Sequence, residues 1–139
     1  MEFEGKIWKE KNHWLIEITS LDLITQGKTR KEALFMLKDA VYELIQYYFK
    51  KKSKIIINEY GKEIVGISTS DTKVLLALSL RRQREKENLT IRDIVHRLKF
   101  KSPNAYSQYE RGQINLSLEQ YEKMLTAINP SSHYLFRLA

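Results

Sequence analysis

The sequence predicts an α+β protein, with strands around one long helix in residues 1–70 and short helices alone in residues 71–139. In the first half, apolar residues alternate with polar ones in short runs, which is the period of a half-buried strand. One long run among them, and all of the second half, repeat at helical spacing instead. The predicted order is therefore β-β-α-β-β, with room for one extra short strand in the twenties, followed by an all-α domain.

Two hairpins account for the predicted strands. The first turns at residues 10–12, and its apolar positions are Phe3, Gly5, Ile7, Trp14, Ile16 and Ile18. The second joins residues 55–57 to residues 64–67 and has Gly61 in its turn, because glycine readily takes the backbone conformation that a tight turn needs. A loop through Asp22 and residues 26–27 is predicted to lead from the first hairpin to the long helix.

The long helix is predicted over residues 29–49. Thr29 and Glu32 have the spacing of a capping box, in which each side chain satisfies a free backbone amide at the helix start. An apolar stripe predicts the face that lies on the sheet: Ala33, Leu34, Leu37, Ala40, Val41, Leu44, Ile45 and Tyr48. The basic run at residues 50–52 follows, and we interpret it as a complement to the helix dipole in preference to a nucleic-acid patch.

Four shorter helices are predicted after a polar boundary at residues 68–71. The apolar spacing places the first three over residues 72–86, 91–98 and 103–111. Ser117 and Gln120 form a second capping box, which opens the fourth helix. Its predicted inward stripe is Leu118, Tyr121, Leu125 and Ile128. The dipeptide at residues 129–130, Asn-Pro, ends this helix.

The composition narrows the classes of function. The chain has no cysteine, which excludes disulfides, thiol nucleophiles and the common zinc-finger chemistries. Its three histidines, His13, His96 and His133, lack ligand spacing, so we predict neither a metal nor a cofactor. The apolar runs are too short to cross a membrane, and the first residues lack the features of a secretory signal. A cytoplasmic location is therefore expected.

Positive charge is concentrated in the second half. The formal net charge is +7, and residues 71–139 hold 12 basic against 7 acidic side chains. Arg30 is the only arginine before them; the second half has Arg81, Arg82, Arg84, Arg92, Arg97, Arg111 and Arg137. Guanidinium groups bind phosphate in a bidentate fork, so a polyanionic partner is one interpretation of this charge. A solvated basic helix face is the other.

The segment from residue 102 to residue 112 predicts a short helix with two chemically different faces. Ser102 suits the N-cap and Pro103 the first helical position, where no amide donor is needed. Tyr106 and Tyr109 share one face with the nearby Ala105. Another face carries Asn104 and Gln108, whose amides can donate and accept together, as adenine recognition requires. Gly112 suits the end of the helix.

Four short helices, with a tight turn between the second and third, describe the helix-turn-helix architecture. The second half also resembles the phage-repressor or Xre family of DNA-binding domains at Leu80, Arg84, Leu89, Thr90, Ile94, Leu98, residues 109–112 and Leu118. The resemblance implies a partly buried ion pair between Arg84 and Glu110. It implies base contacts from Asn104 and Gln108. The implied phosphate or rim contacts are Thr90, Lys101, Ser102, Ser107, Arg111 and Gln113.

The second half also departs from that family pattern. Pro103 occupies a base-contact position but cannot hydrogen-bond a base. The turn at residues 98–102 is one residue longer than the common pattern, and Val95 replaces a small residue. Ile91 stands where a glutamine is frequent, which removes one expected phosphate contact, and Gln83 stands where an apolar residue is common. The docking angle of the third helix is therefore left open.

Nearly the whole chain resembles the HicB antitoxin family. The resemblance is carried by an aromatic first strand, a second strand containing Trp14, the loop at residues 25–29, residues 32–34 opening the long helix, and residues 102–106. The loop at residues 20–23 lacks the proline and small residues usual there. The resemblance implies that residues 1–70 form a partial RNase H-like module that binds a toxin. Residues 71–139 would then be the helix-turn-helix DNA-binding domain.

The function implied is that of an antitoxin in a type II toxin-antitoxin system. Such a protein would neutralise a small mRNA-cleaving ribonuclease, a HicA-like toxin, and would repress its own operon by binding a double-stranded DNA operator as a homodimer or higher homo-oligomer. Candidate toxin contacts are the loop at residues 22–28, the outer face of the long helix and an exposed strand edge. The alternative is a free-standing transcriptional regulator whose first module dimerises or senses a ligand.

An enzyme is not expected. Two-metal phosphodiester chemistry needs several carboxylates that converge on one site. The first strands and the following loop offer only Glu2, Glu4, Glu17 and Asp22, at spacings that do not bring three of them together. We therefore predict that the first module binds a partner and does not cleave one.

Overall fold

The computed structural model describes residues 1–139 and has five strands and five α-helices. The first half contains β1 (Phe3–Glu10), β2 (His13–Ile18), a 3-10 turn (Thr19–Leu21), β3 (Leu23–Gly27), α1 (Arg30–Phe49), β4 (Ile55–Tyr60) and β5 (Ile64–Thr69). The second half contains α2 (Thr72–Lys86), α3 (Ile91–Leu98), α4 (Pro103–Glu110) and α5 (Leu118–Ile128). The predicted α+β class is confirmed.

One five-stranded sheet forms the first half, with the strand order β3-β2-β1-β5-β4 and every neighbouring pair antiparallel. Side chains alternate across it, so one face of each strand is buried. That face packs against α1, whose Ala33, Leu37, Val41 and Ile45 are fully buried. All four belong to the predicted stripe. They are buried because the sheet covers this one side of the helix.

The strand β3 is the extra short strand for which the predicted β-β-α-β-β order left room, so the full order is β-β-β-α-β-β. The loop predicted through Asp22 and residues 26–27 is replaced by strand pairing along β2, from Ile18 with Leu23 to Trp14 with Gly27. The apolar signal is weak because the inward positions are Thr25 and Gly27, while Ile24 faces outward and is 60% exposed. The strand is therefore recognisable by its pairing and not by its hydrophobic pattern.

The strand β3 and the helix α1 lie very close together at Gly27. A Cβ at this position would lie 2.5 Å from the amide nitrogen of Ala33, which belongs to the backbone and cannot swing aside. We expect Gly27→Ala to lower the free energy of unfolding by about 3 kcal/mol through overpacking. Gly61→Ala is the control, because nothing lies within 4 Å of that site and only its positive φ of 74° is penalised, by about 1 kcal/mol. Urea unfolding followed by circular dichroism measures both, and equal losses would contradict the steric argument.

The helix α2 contributes to both halves of the molecule. Seven consecutive residues, Val74 to Leu80, are buried, although one face of a surface helix would bury about half of them. The reason is that α2 contacts α1, β5 and the 3-10 turn of the first half as well as α4 and α5 of the second. A single cluster of 24 buried apolar residues consequently runs through the sheet module and the helices.

Polar contacts fix α2 against the 3-10 turn. Arg82 donates from Nε to the Leu21 carbonyl at 3.0 Å and from Nη2 to the Asp22 carbonyl at 2.7 Å. Gln83 donates from Nε2 to the Thr19 carbonyl at 2.8 Å. The departure at Gln83 is thereby explained, because its side-chain amide ties α2 to the 3-10 turn through a hydrogen bond that an apolar side chain could not make.

The C-terminal tail returns to the first half. The hydroxyl of Tyr134 lies 3.0 Å from that of Ser79 and 3.1 Å from that of Tyr121, and its ring packs 6.1 Å from that of Phe3. Arg137 Nη2 is 2.7 Å from the carboxylate of Glu4 on β1. The tail therefore joins the last helix to the first strand.

The inward stripe of α5 differs from the prediction at one position. Tyr121, Leu125 and Ile128 are buried, but Leu118 is 60% exposed and Met124 is buried instead. Leu118 opens the helix directly after its N-cap, Ser117, so it lies at the end of the packed face. None of the five α-helices combines the length and apolar character that crossing a membrane requires.

Candidate nucleic-acid interface

The α3–α4 unit begins with a strong N-terminal cap. The Thr90 hydroxyl accepts from the Asp93 amide at 3.1 Å, and the Asp93 carboxylate accepts from the Thr90 amide at 2.7 Å. The hydrogen bond from the Thr90 amide, followed by the Thr90 side chain, holds the pKa of the Asp93 carboxyl below its usual range. The helix α3 ends at Leu98, and Lys99, with a φ of 57°, starts the turn to α4.

The short helix α4 presents two unlike faces. Its N-cap Ser102 accepts from the Asn104 amide at 3.2 Å, and Pro103 takes the first helical position, as the sequence predicts. Tyr106 is fully buried and Tyr109 partly buried. Asn104 is exposed and Gln108 half-buried on the outer side, where Ala105 is also exposed and so does not share the inward face of Tyr106.

A buried ion pair fixes the inner face of α4 to α2. The Glu110 side chain is 3% exposed and that of Arg84 is 11% exposed. Arg84 donates to both carboxylate oxygens, from Nε at 2.6 Å and from Nη2 at 3.0 Å, and its Nη1 donates to the Leu89 carbonyl at 2.8 Å. The hydroxyl of Tyr106 donates to the same carboxylate at 2.7 Å. Bidentate geometry with a third donor leaves little freedom for α4 to rotate.

Burial and the charge of Glu110 shift the pKa values of Tyr106 and Arg84. Burial, followed by the charge and hydrogen bond of Glu110, raises the pKa of Tyr106 far above its usual range. Burial alone would lower the pKa of Arg84, but the hydrogen bond and charge of Glu110 outweigh it and raise that pKa. The guanidinium therefore stays charged and the phenol stays protonated, so both remain hydrogen-bond donors to the Glu110 carboxylate.

A family model described as a helix-turn-helix domain matches residues 75–129, which include α3, α4, α5 and nearly all of α2. Residues 75–129 form a helix-turn-helix domain, the kind of domain that binds DNA. A search of curated proteins found no significant match to the chain. In the helix-turn-helix domain, α3 and α4 are the two helices of the motif, and α4 is the one whose outer face carries the free amides.

The predicted contact residues of the helix-turn-helix domain lie along α3, α4 and their flanks. Lys101 and Ser102 precede α4, Ser107 lies between the two amide residues, and Arg111 and Gln113 follow the helix. Thr90, Lys101, Arg111 and Gln113 are exposed, while Ser102 and Ser107 are half-buried. The hydroxyls of Thr90 and Ser102 accept cap hydrogen bonds, so each would reach a phosphate by donating its proton.

Most arginines of the second half are engaged within the protein, which the charge count could not reveal. Besides Arg82, Arg84 and Arg137, Arg97 donates to the Ala127 carbonyl at 2.8 Å, and Arg81 stacks 4.2 Å over the ring of Tyr48. Two arginines of the seven remain exposed without such a partner, Arg92 and Arg111. The structure thus assigns much of the arginine excess to packing and interhelical contacts.

Proposed function

We propose that this protein is an antitoxin that neutralises a small mRNA-cleaving toxin of the HicA type and represses its own operon. In this proposal the protein binds the toxin and the DNA and catalyses no reaction. The observation that carries the DNA-binding part is the outward position of Asn104 and Gln108 on a helix whose inner face is fixed by the Arg84–Glu110 pair. A rigidly held helix with two free amides suits direct readout in a major groove.

Operator binding is proposed to use two copies of the chain. A single helix-turn-helix reads one half-site, and repressors of this architecture gain affinity by binding two half-sites one helical turn apart. Asn104 and Gln108 would specify bases, whereas Thr90, Lys101, Ser102, Ser107, Arg111 and Gln113 would position the domain on the phosphates. The first module is also proposed to have a partial RNase H-like fold.

The toxin-binding part is supported by the open face of the sheet, on the side opposite α1. Its outward positions alternate with the buried ones, and they carry the carboxylates Glu4, Glu10 and Glu17 and the apolar side chains Trp8, Leu15 and Ile64. The basic side chains on this face are Lys6, paired with Glu17 across the strands, and His13, paired with Glu10, while Arg137 of the tail forms an ion pair with Glu4. A surface that combines carboxylates with an exposed indole and aliphatic side chains suits a small basic ribonuclease. The free edge of β3 adjoins it, where the sequence suggested a loop contact.

Co-expression tests the antitoxin proposal. We expect the tagged chain to copurify with the protein encoded by the neighbouring reading frame and to suppress its toxicity. Glu17→Lys should weaken copurification, because it reverses a charge on the open face. Glu43→Lys makes the same change on the exposed side of α1 and should leave it intact. Failure to capture any neighbour-encoded protein would refute the antitoxin role, and loss with Glu43→Lys alone would move the interface to α1.

The alternative, a free-standing regulator with a sensing module, has one observation in its favour. A shallow cavity of about 300 Å³ lies between α1 and β4 and is lined by Phe35, Tyr42 and Ile55 with Lys38 and Asp39. Its size is at the lower limit for a small-molecule site. The two proposals separate in the same copurification experiment, since a free-standing regulator would capture no neighbour-encoded protein, whereas DNA binding is expected of both.

A further inference from the structure

We propose that a lysine cluster in the first half, Lys50, Lys51, Lys52 and Lys54, makes a second contact with the phosphate backbone of double-stranded DNA. The proposal rests on DNA binding by the helix-turn-helix domain and extends its contact surface onto the sheet module. It gives these residues a role beyond complementing the end of α1.

The lysine cluster lies beside the start of α2. Lys51 Nζ is 3.8 Å from a carboxylate oxygen of Asp71, the N-cap of α2. Lys54 is tied to Ser70 by two hydrogen bonds, because its amide donates to the Ser70 hydroxyl at 3.3 Å and its carbonyl accepts from the Ser70 amide at 3.1 Å. The segment is thus held in place against the helix-turn-helix domain.

The same turn of α2 touches the segment that follows α4. A Cβ on Gly112 would lie 3.5 Å from the Cα of Val74 and 3.6 Å from the Lys73 carbonyl oxygen. Asp71 precedes Val74 by three residues, which is about 5 Å along a helix. Arg111 and Gln113, predicted to contact phosphates, therefore flank the same helical turn as the lysine cluster.

The charge distribution favours such a contact. Five of the seven arginines in the second half bind within the protein, and Ile91 stands where a phosphate-binding glutamine is frequent. The helix-turn-helix domain alone consequently offers two free arginines, Arg92 and Arg111, beside its exposed lysines Lys99 and Lys101. All four lysines of the cluster are exposed, and Asp71 is the one carboxylate paired with them. Lysine side chains on such a surface attract phosphate without reading sequence.

Salt dependence of DNA binding by the full chain tests the proposal. We compare the unaltered protein with Lys50→Gln/Lys51→Gln/Lys52→Gln on a duplex from upstream of its own gene and on a random duplex. Each lost phosphate contact should reduce the slope of log K against log salt concentration by about 0.9, so the triple variant should lose about 2 to 3. Affinity should fall by a similar factor on both duplexes, because phosphate contacts carry no sequence information.

The matched control is Lys9→Gln/Lys11→Gln/Lys62→Gln. These lysines lie at the hairpin turns, at the end of the sheet opposite Ile55 and Thr69. The control removes the same charge and should keep the original slope. An unchanged slope in the cluster variant, or an equal reduction in the control, would overturn the proposal while DNA binding itself stands. Absence of any duplex binding by the unaltered chain would refute both the operator proposal and this contact.

Discussion

Replacing Glu110 by alanine should lower the free energy of unfolding by about 3–5 kcal/mol, the largest effect we expect from one side chain. The substitution strands the Arg84 guanidinium, which is 11% exposed and would keep only its bond to the Leu89 carbonyl. It also leaves the buried hydroxyl of Tyr106 without its acceptor. Desolvation of these groups is the cause of the loss, and denaturant unfolding followed by circular dichroism measures it.

Two further variants separate this cause from the mere loss of an ion pair. Glu119→Ala removes a pair with Lys123 in which both side chains are largely exposed, and should change the unfolding free energy by less than about 0.5 kcal/mol. Arg84→Met combined with Glu110→Leu removes both charges, and should be less destabilising than Glu110→Ala alone. A double variant as unstable as the sum of the single ones would show that the stranded charge is not the cause.

Replacing Gln108 by alanine should weaken binding to the operator by about 5- to 150-fold, since a bidentate amide contact with adenine is worth about 1–3 kcal/mol. Asn104→Ala should have an effect of the same size. Both side chains lie outside the hydrogen bonds that hold α4, which involve Ser102, Tyr106, Tyr109 and Glu110. Titration of the DNA upstream of the gene and of a random duplex measures the specific and the nonspecific parts.

Binding to the random duplex should stay within about twofold, because nonspecific affinity comes from phosphate contacts. Gln26→Ala is the control: it removes the same amide from an exposed position on β3, far along the chain from α4, and should change neither affinity. An equal loss on both duplexes would mean that Gln108 supports the domain's position and does not read bases. The unfolding transition of each variant checks that the fold is retained.

Most elements could be predicted from the sequence because their signals are local. Capping residues such as Thr90, Ser102 and Ser117 determine helix starts through bonds to amides two or three residues away. The strand β3 could not be predicted with equal ease, because its evidence lies in pairing with β2 and in the contact of Gly27 with α1. Such contacts are absent from any short window of sequence.

The candidate DNA interface also combines features with local signals and features that depend on distant parts of the chain. The facing of Asn104 and Gln108 follows from helical spacing, so the sequence alone could place them on the outer side of α4. The engagement of Arg82 and Arg97 could not be foreseen, since their acceptors are backbone carbonyls from distant parts of the chain. Arg81 has a local partner in Glu85, four residues along α2, but its stacking on the distant ring of Tyr48 could not be foreseen either. Gln83 gave a usable signal, because a polar residue at a normally apolar position indicates a partner outside the domain.

The burial of α2 from all sides has a consequence for how the protein can be divided. A fragment that begins at residue 71 would expose to water the side chains that α1, β5 and the 3-10 turn now cover, and a fragment that ends there would lose the cover that α2 gives to these same elements. Both pieces would be prone to aggregate. The two halves should accordingly melt in a single transition, and amide protons of α2 should exchange with solvent only when the whole chain unfolds.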